Sequence, residues 1–172
     1  MADFLGDPKF PAKSMHANRA MRIAYVHGIF RQYSRLQLTA SSDRPIAIAG
    51  LESRLHRTFN MKRGVGIFDD GPGGELFHRS ILWQRGEEVD PRDFMRTDFR
   101  NRSSSVPSWS WMAYEGGIDY VDPPFASAHW LDEIILPLEW PQYGIGVSSS
   151  LYTSEELFLT ATIRPLTVAD SL

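Results

Sequence analysis

The chain contains no cysteine. This one absence excludes a disulfide framework, thiolate ligation of zinc and a cysteine nucleophile, and it fits a reducing compartment. Long apolar runs are missing too, and no stretch reaches the ~20 residues of a membrane-spanning helix. The first eleven residues carry Asp3, Asp7, Pro8 and Pro11 in place of the basic region and hydrophobic stretch of a secretory signal. A cytoplasmic location is the expectation. Nor is there an excess of one charge: 18 Lys and Arg stand against 21 Asp and Glu, a net charge of -3. A surface this balanced lacks the field that nucleic acid or an anionic membrane would need, so neither is expected as a partner.

What is present is a folding composition. With 42% hydrophobic and 12% aromatic residues over 172 positions, the chain can bury a core of one domain with two subregions. Residues 1–14, with Gly6, Pro8 and Pro11, read as a flexible arm. From about Met15 to Tyr33, Ile23, Val26, Phe30 and Tyr33 recur at helical steps, with Met21, Tyr25 and Ile29 widening the stripe and Arg19, Arg22 and Arg31 on a solvated outer face. Ser41, Ser42 and Asp43 offer capping oxygens before Pro45 and a second helix to about Arg57, its apolar line formed by Ile48, Leu51 and Leu55. Gly50, inside that helix, costs about 1 kcal/mol against alanine, which marks it as a close-packing position between two helices paired as a hairpin. Asn60 to Gly66 and Gly71 to Gly74 punctuate the chain, and a short helix over Glu75 to Gln84 completes a mainly helical subregion, 15–84.

Residues 85–106 are charged and Ser-rich and read as a linker. Beyond them the apolar pattern alternates at Trp109/Trp111, Ile118/Tyr120 and Leu157/Leu159/Ala161/Ile163, while Pro123, Pro124, Pro137, Pro141 and Pro165 keep the strands short. The expected fold is α+β: a helical hairpin plus a short helix, then an antiparallel β-sheet or partial barrel over 107–172. The strand Leu157 to Ile163 has little charge to guard its edge, so a protein partner or self-association through the C-terminal strands is expected.

Val106-Pro107-Ser108-Trp109-Ser110-Trp111-Met112-Ala113, followed by Gly116-Gly117-Ile118-Asp119-Tyr120, resembles the Ala-Pro-Ser-Trp-Ser-Trp-Ala-Ser block of fungal heterokaryon-incompatibility proteins. Tyr33-Ser34, Leu38-Thr39 and Asp43-Arg44-Pro45-Ile46-Ala47-Ile48-Ala49-Gly50-Leu51 resemble that family's upstream elements in the same order, and Ile81-Leu82-Trp83 its Leu-Leu-Trp. The chain departs from the pattern at Leu36, with Arg35 displaced by one, at the inverted Pro45-Ile46 pair and at Val106. The resemblance covers about Tyr33 to Tyr120 and implies the region downstream of the family's signature domain, which is distantly similar to Toll/interleukin-receptor domains and has no counterpart here. It implies a noncatalytic interaction or regulatory module in nonself recognition, with Gly50, Trp83, Pro107, Trp109 and Trp111 in structural roles.

Two other readings stay open. On a strand Trp109 and Trp111 share one face, and with Trp130 and Trp140 they could stack a sugar or another flat ligand; the same rings are equally suited to a core. His129 with Asp132 or Glu133 is the nearest thing to a small hydrolase site. No metal site is expected, because the five histidines are scattered. No cofactor is expected either: Gly71-Pro72-Gly73-Gly74-Glu75 lacks the Lys-Ser/Thr of a phosphate loop, and no serine sits in a Gly-x-Ser-x-Gly elbow.

Overall fold

A computed structural model describes residues 17–71, 75–99 and 106–125. Helix α1, Arg19–Ser34, starts where the Asn18 side chain accepts the Met21 backbone N–H. It buries Ile23, Val26, Ile29 and Phe30 as the spacing predicts, and adds His27 and Ser34 to the inner face. Met21 and Tyr25 instead face outward, at 49% and 38% exposure. A one-turn 3-10 segment, Ser41–Asp43, leads into α2, Arg44–Phe59, with Pro45 in its first turn. The Asp43 side chain does not cap this helix. Asn60 ends it in the left-handed conformation (φ 51°), a common helix stop for asparagine.

Strands β1, Lys62–Gly64, and β2, Ile67–Asp69, follow at once as an antiparallel hairpin in which Gly64 pairs with Ile67. The subregion expected to be mainly helical thus also contains a small sheet. Its two-residue tip, Val65 (φ 47°) and Gly66 (φ 79°), is left-handed at both positions, the twist that fits a tight hairpin. Helix α3, Leu76–Ile81, is shorter than the spacing predicts, because Trp83–Arg85 leaves it to form strand β3. Strand β3 pairs antiparallel with β4, Ile118–Tyr120, in the register Trp83 to Tyr120 and Arg85 to Ile118. Strand β3 is set by this pairing with β4, since Trp83 is the one residue of strong strand preference in it. As the alternation predicts, Ile118 and Tyr120 are buried.

The architecture is α+β, with helices leading and two small antiparallel sheets among the described residues. Helix α1 lies against β4 and α3, and α3 against β2. The long helices α1 and α2 share one core through Phe30, Ile48, Leu55 and Phe59, joined there by Phe68, Trp111 and Ile118. Of the stretch read as a linker, 85–99 is docked. Gly86 N–H donates to the Gly117 carbonyl (2.8 Å), Thr97 N–H to Ala113 (2.8 Å), Glu115 N–H to Met95 (2.8 Å), and Arg96 bridges Tyr114. Backbone pairing holds this polar segment where its composition offers few apolar contacts.

Gly50 is not a packing position. It is exposed, and a Cβ there would meet nothing within 4 Å. Gly66 is the glycine that close packing requires: a Cβ would sit 2.4 Å from Trp111 Nε1. Gly50→Ala should therefore stabilise the protein by about 1 kcal/mol in denaturant melts, the helix-propensity gain alone, whereas Gly66→Ala should destabilise it by more than about 1 kcal/mol.

Candidate functional site

Pro107 to Ser110 form a turn, with Ser110 N–H donating to the Pro107 carbonyl at 3.0 Å, and Trp111–Ala113 a single 3-10 turn. The strand alternation expected for Trp109 and Trp111 is thus absent, and Ser110 is buried beside Trp111 and not opposite it. The local cause is Ser110 itself. Its Oγ accepts the Met112 N–H (3.1 Å), capping the short helix, and donates to the Val65 carbonyl (2.6 Å). Trp111 Nε1 donates to the Gly66 carbonyl at 3.2 Å. Both carbonyls of the hairpin tip are therefore held by consecutive residues of the tryptophan block.

Trp111 has no exposed surface. Phe30 lies 5.3 Å away, Tyr33 meets its edge at 6.3 Å, and the Arg44 guanidinium stands 5.9 Å over the ring. Its faces are occupied, so the ligand-stacking reading does not hold for Trp111. Trp109 is half-buried, and its carbonyl accepts Trp83 Nε1 at 2.8 Å. Trp83 in turn packs on Tyr114 and Phe94, which stack at 5.2 Å. Trp130, Trp140, His129, Asp132, Glu133 and the strand Leu157 to Ile163 lie outside the described residues.

Arg44 is buried at the start of α2. It donates to the Ser34 carbonyl (3.3 Å) and to the Tyr114 carbonyl, while its own carbonyl accepts the Tyr33 hydroxyl (2.8 Å). Burial lowers the Arg44 pKa and raises that of Tyr33. Ser34 Oγ accepts the Ile118 N–H at 3.0 Å, tying the end of α1 to β4.

A second cluster is charged. His27 and Arg31 on α1 and Arg35 at its C-cap stand four residues apart, one above the other, and face β4 and the segment after it. His27 Nδ1 donates to Asp122 Oδ1 at 2.7 Å, and its ring stacks on Tyr120 at 3.8 Å. Arg31 reaches Asp122 (2.8 Å) and Asp119 (3.4 Å). Arg35 bridges Glu88 (2.7 Å) and Asp119 (3.1 Å) and donates to the Ile118 carbonyl (2.7 Å). Arg19 pairs with Asp70 at 3.3 Å, and Arg22 lies over Phe59. Of the arginines expected on a solvated face, Arg19 is exposed, with 48% of its side chain open to water, while Arg31 is turned to partners on and after β4.

The His27–Asp122 pair has the form of the base half of an acid–base site, since a carboxylate on Nδ1 leaves Nε2 as the acceptor. That Nε2 is buried without a partner. Burial holds the His27 pKa below its ordinary 6.5 despite the opposing pull of Asp122. The pair as placed braces α1 against the segment after β4, with the His27 ring fully buried. Among the described residues no three His, Asp or Glu side chains are grouped to hold a metal ion, and no helix is long and apolar enough to cross a membrane. A cleft of about 100 Å³, lined in part by Arg19, Arg22, Phe59 and Asp70, is too small for a drug-sized ligand, whose pockets run to roughly 300–1,000 Å³.

Two outcomes are expected from substitution. Trp111→Ala should cost ~3–5 kcal/mol and Trp109→Ala about 1 kcal/mol, measured by denaturant melts. For His27, the native state refuses a proton that the unfolded chain accepts. Its stabilising contribution is therefore full above pH 6.5 and is lost as pH falls below that value. In urea melts against pH, His27→Gln should flatten that acid-side decline. No protein-family profile, no curated protein and no solved structure matches this chain.

Proposed function

We propose that the chain is a noncatalytic interaction or regulatory module of the fungal heterokaryon-incompatibility type, acting in nonself recognition through contact with another protein. The observation that carries this reading is where its landmark residues meet. Tyr33, Ser34, Arg44, Ser110 and Trp111, drawn from three separated elements of the resemblance, are bonded or packed directly on one another. Trp83, from a fourth, is tied to Trp109. A sequence pattern whose members brace one another specifies a fold, and on this reading those side chains serve structure while the module acts through its surface. Ile46, Met95 and Leu36 are 62%, 60% and 51% exposed and are the side chains to probe first for such contact.

The signature domain of such proteins is the natural partner to test. Sedimentation of this chain with a purified fungal signature domain should give a saturable complex. The same preparation should not turn over ester, phosphomonoester or glycoside substrates. Absence of a complex, or turnover that His27→Gln abolishes, would overturn the proposal.

A further inference from the structure

Glu52 sits on the inner stripe of α2, in line with Ile48, Leu55 and Phe59, and is 3% exposed. A carboxylate in that position loses its hydration and must be met by donors. It has two: the Gly66 N–H donates to Oε1 at 2.9 Å, and Arg63 Nη1 to Oε2 at 3.0 Å. Arg63 also donates to Ser53 Oγ at 2.9 Å. Unlike Glu52, Arg63 is partly open to water, with a quarter of its side chain exposed. It reaches inward from the surface and has solvent behind it.

We propose that Glu52 and Arg63 form a proton-operated latch on the tip of the β1–β2 hairpin, closed while the carboxylate is charged and released when it takes up a proton. The tip needs holding, because Val65 is β-branched and occupies the left-handed region that such residues avoid. Three side chains hold it: Ser110 and Trp111 grip its two carbonyls, and Glu52 grips the Gly66 N–H. The grip on the N–H depends on charge, since a hydrogen bond to an ionised acceptor is roughly twice as strong as one to a neutral acceptor. A neutral Glu52 also gives Arg63 no counter-ion, and the guanidinium is better solvated outside.

The titratable groups that face Glu52 are Arg63 from β1 and the Tyr33 phenol from α1, which burial keeps protonated. Around them the Gly66 N–H and Ser53 complete the polar shell. Burial dominates this balance and pushes the Glu52 pKa up to about 7, against the pull of Arg63 and the Gly66 N–H. With a raised pKa, the contribution of Glu52 to stability is full below the ordinary 4.5 and is lost as pH rises through about 7. Closing the latch thus costs stability, and the grip of Ser110 and Trp111 on the same tip holds the closed form in place. The device belongs to the hairpin and does not depend on the identity of any partner.

The test is a pH titration of the whole chain followed by NMR, reading the Glu52 carboxyl carbon, the Gly66 amide and the Arg63 Nε, with Trp111 fluorescence alongside. All four should move together with one midpoint near neutral pH. In Glu52→Gln, the Gly66, Arg63 and Trp111 signals should stay flat over that range. Arg63→Gln removes the favourable cation and should shift the carboxyl midpoint upward; it serves equally if Glu52→Gln does not fold. A carboxyl midpoint near 4.5, or a near-neutral midpoint that leaves Gly66 and Arg63 unmoved, would overturn the latch.

Discussion

The left-handed tip of the first hairpin pressed against the Trp111 indole is the contact on which the other described elements depend. Gly66 is close enough to the ring that a Cβ has no room, and the indole N–H and the Ser110 hydroxyl take both tip carbonyls. Once Trp111 is fixed there, Phe30 and Tyr33 of α1 are fixed by packing on it, and Arg44 of α2 by lying over it. Two helices, a hairpin and the turn before β4 thus take their positions from one ring. Buried polar bonds of this kind add little net free energy each, but an unmet partner costs the full desolvation of the group left behind. The arrangement is therefore all-or-none, and that makes it specify a single structure.

The charged ladder along α1 works differently. The Arg35–Glu88 pair is open to solvent on both sides, where an ion pair contributes ~0–1 kcal/mol. Its value lies in placement. Arg31 and Arg35 also donate to the carbonyls of Tyr120 and Ile118, so the cations run along the edge of β4 away from β3 and satisfy backbone acceptors there. A strand of three residues has few ladder bonds of its own, and among the described residues guanidinium groups from the end of α1 take the place of a strand neighbour on that side.

Much of this was legible in the residues. The 3-and-4 spacing of Ile23, Val26 and Phe30, and of Ile48 and Leu55, placed both long helices, and the alternation of Ile118 and Tyr120 placed β4. The tryptophan block misled because two indoles separated by one residue also fit a turn followed by a 3-10 helix, and a serine able to cap that helix lies between them. The first hairpin was hidden because Val-Gly is an unusual tip: valine avoids the left-handed region, and only the tertiary grip on its carbonyl keeps it there. Gly50 misled for the opposite reason, since a helical glycine can be tolerated without any contact that requires it. Glu52 was within reach of the pattern: an acidic residue four positions after Ile48 and three before Leu55 lies on a buried stripe, and such a carboxylate must have a partner. No sequence signal joins His27 to Asp122, because their pairing depends on how β4 meets α1.

The contact between Ser110 and Val65 spans 45 residues, and that between His27 and Asp122 spans 95. During synthesis at ~5–20 residues per second, α1 therefore leaves the ribosome several seconds before the strand that neutralises it. In that interval its inner face shows Ile23, Val26 and Phe30 beside His27 and two cations, all awaiting partners. Local structure forms early and lasting structure late, since both long loops must close before the buried polar groups are satisfied. A nascent chain halted before Ser110 holds two helices and a hairpin with neither a seat for the hairpin tip nor the Asp119 and Asp122 carboxylates that face the first helix.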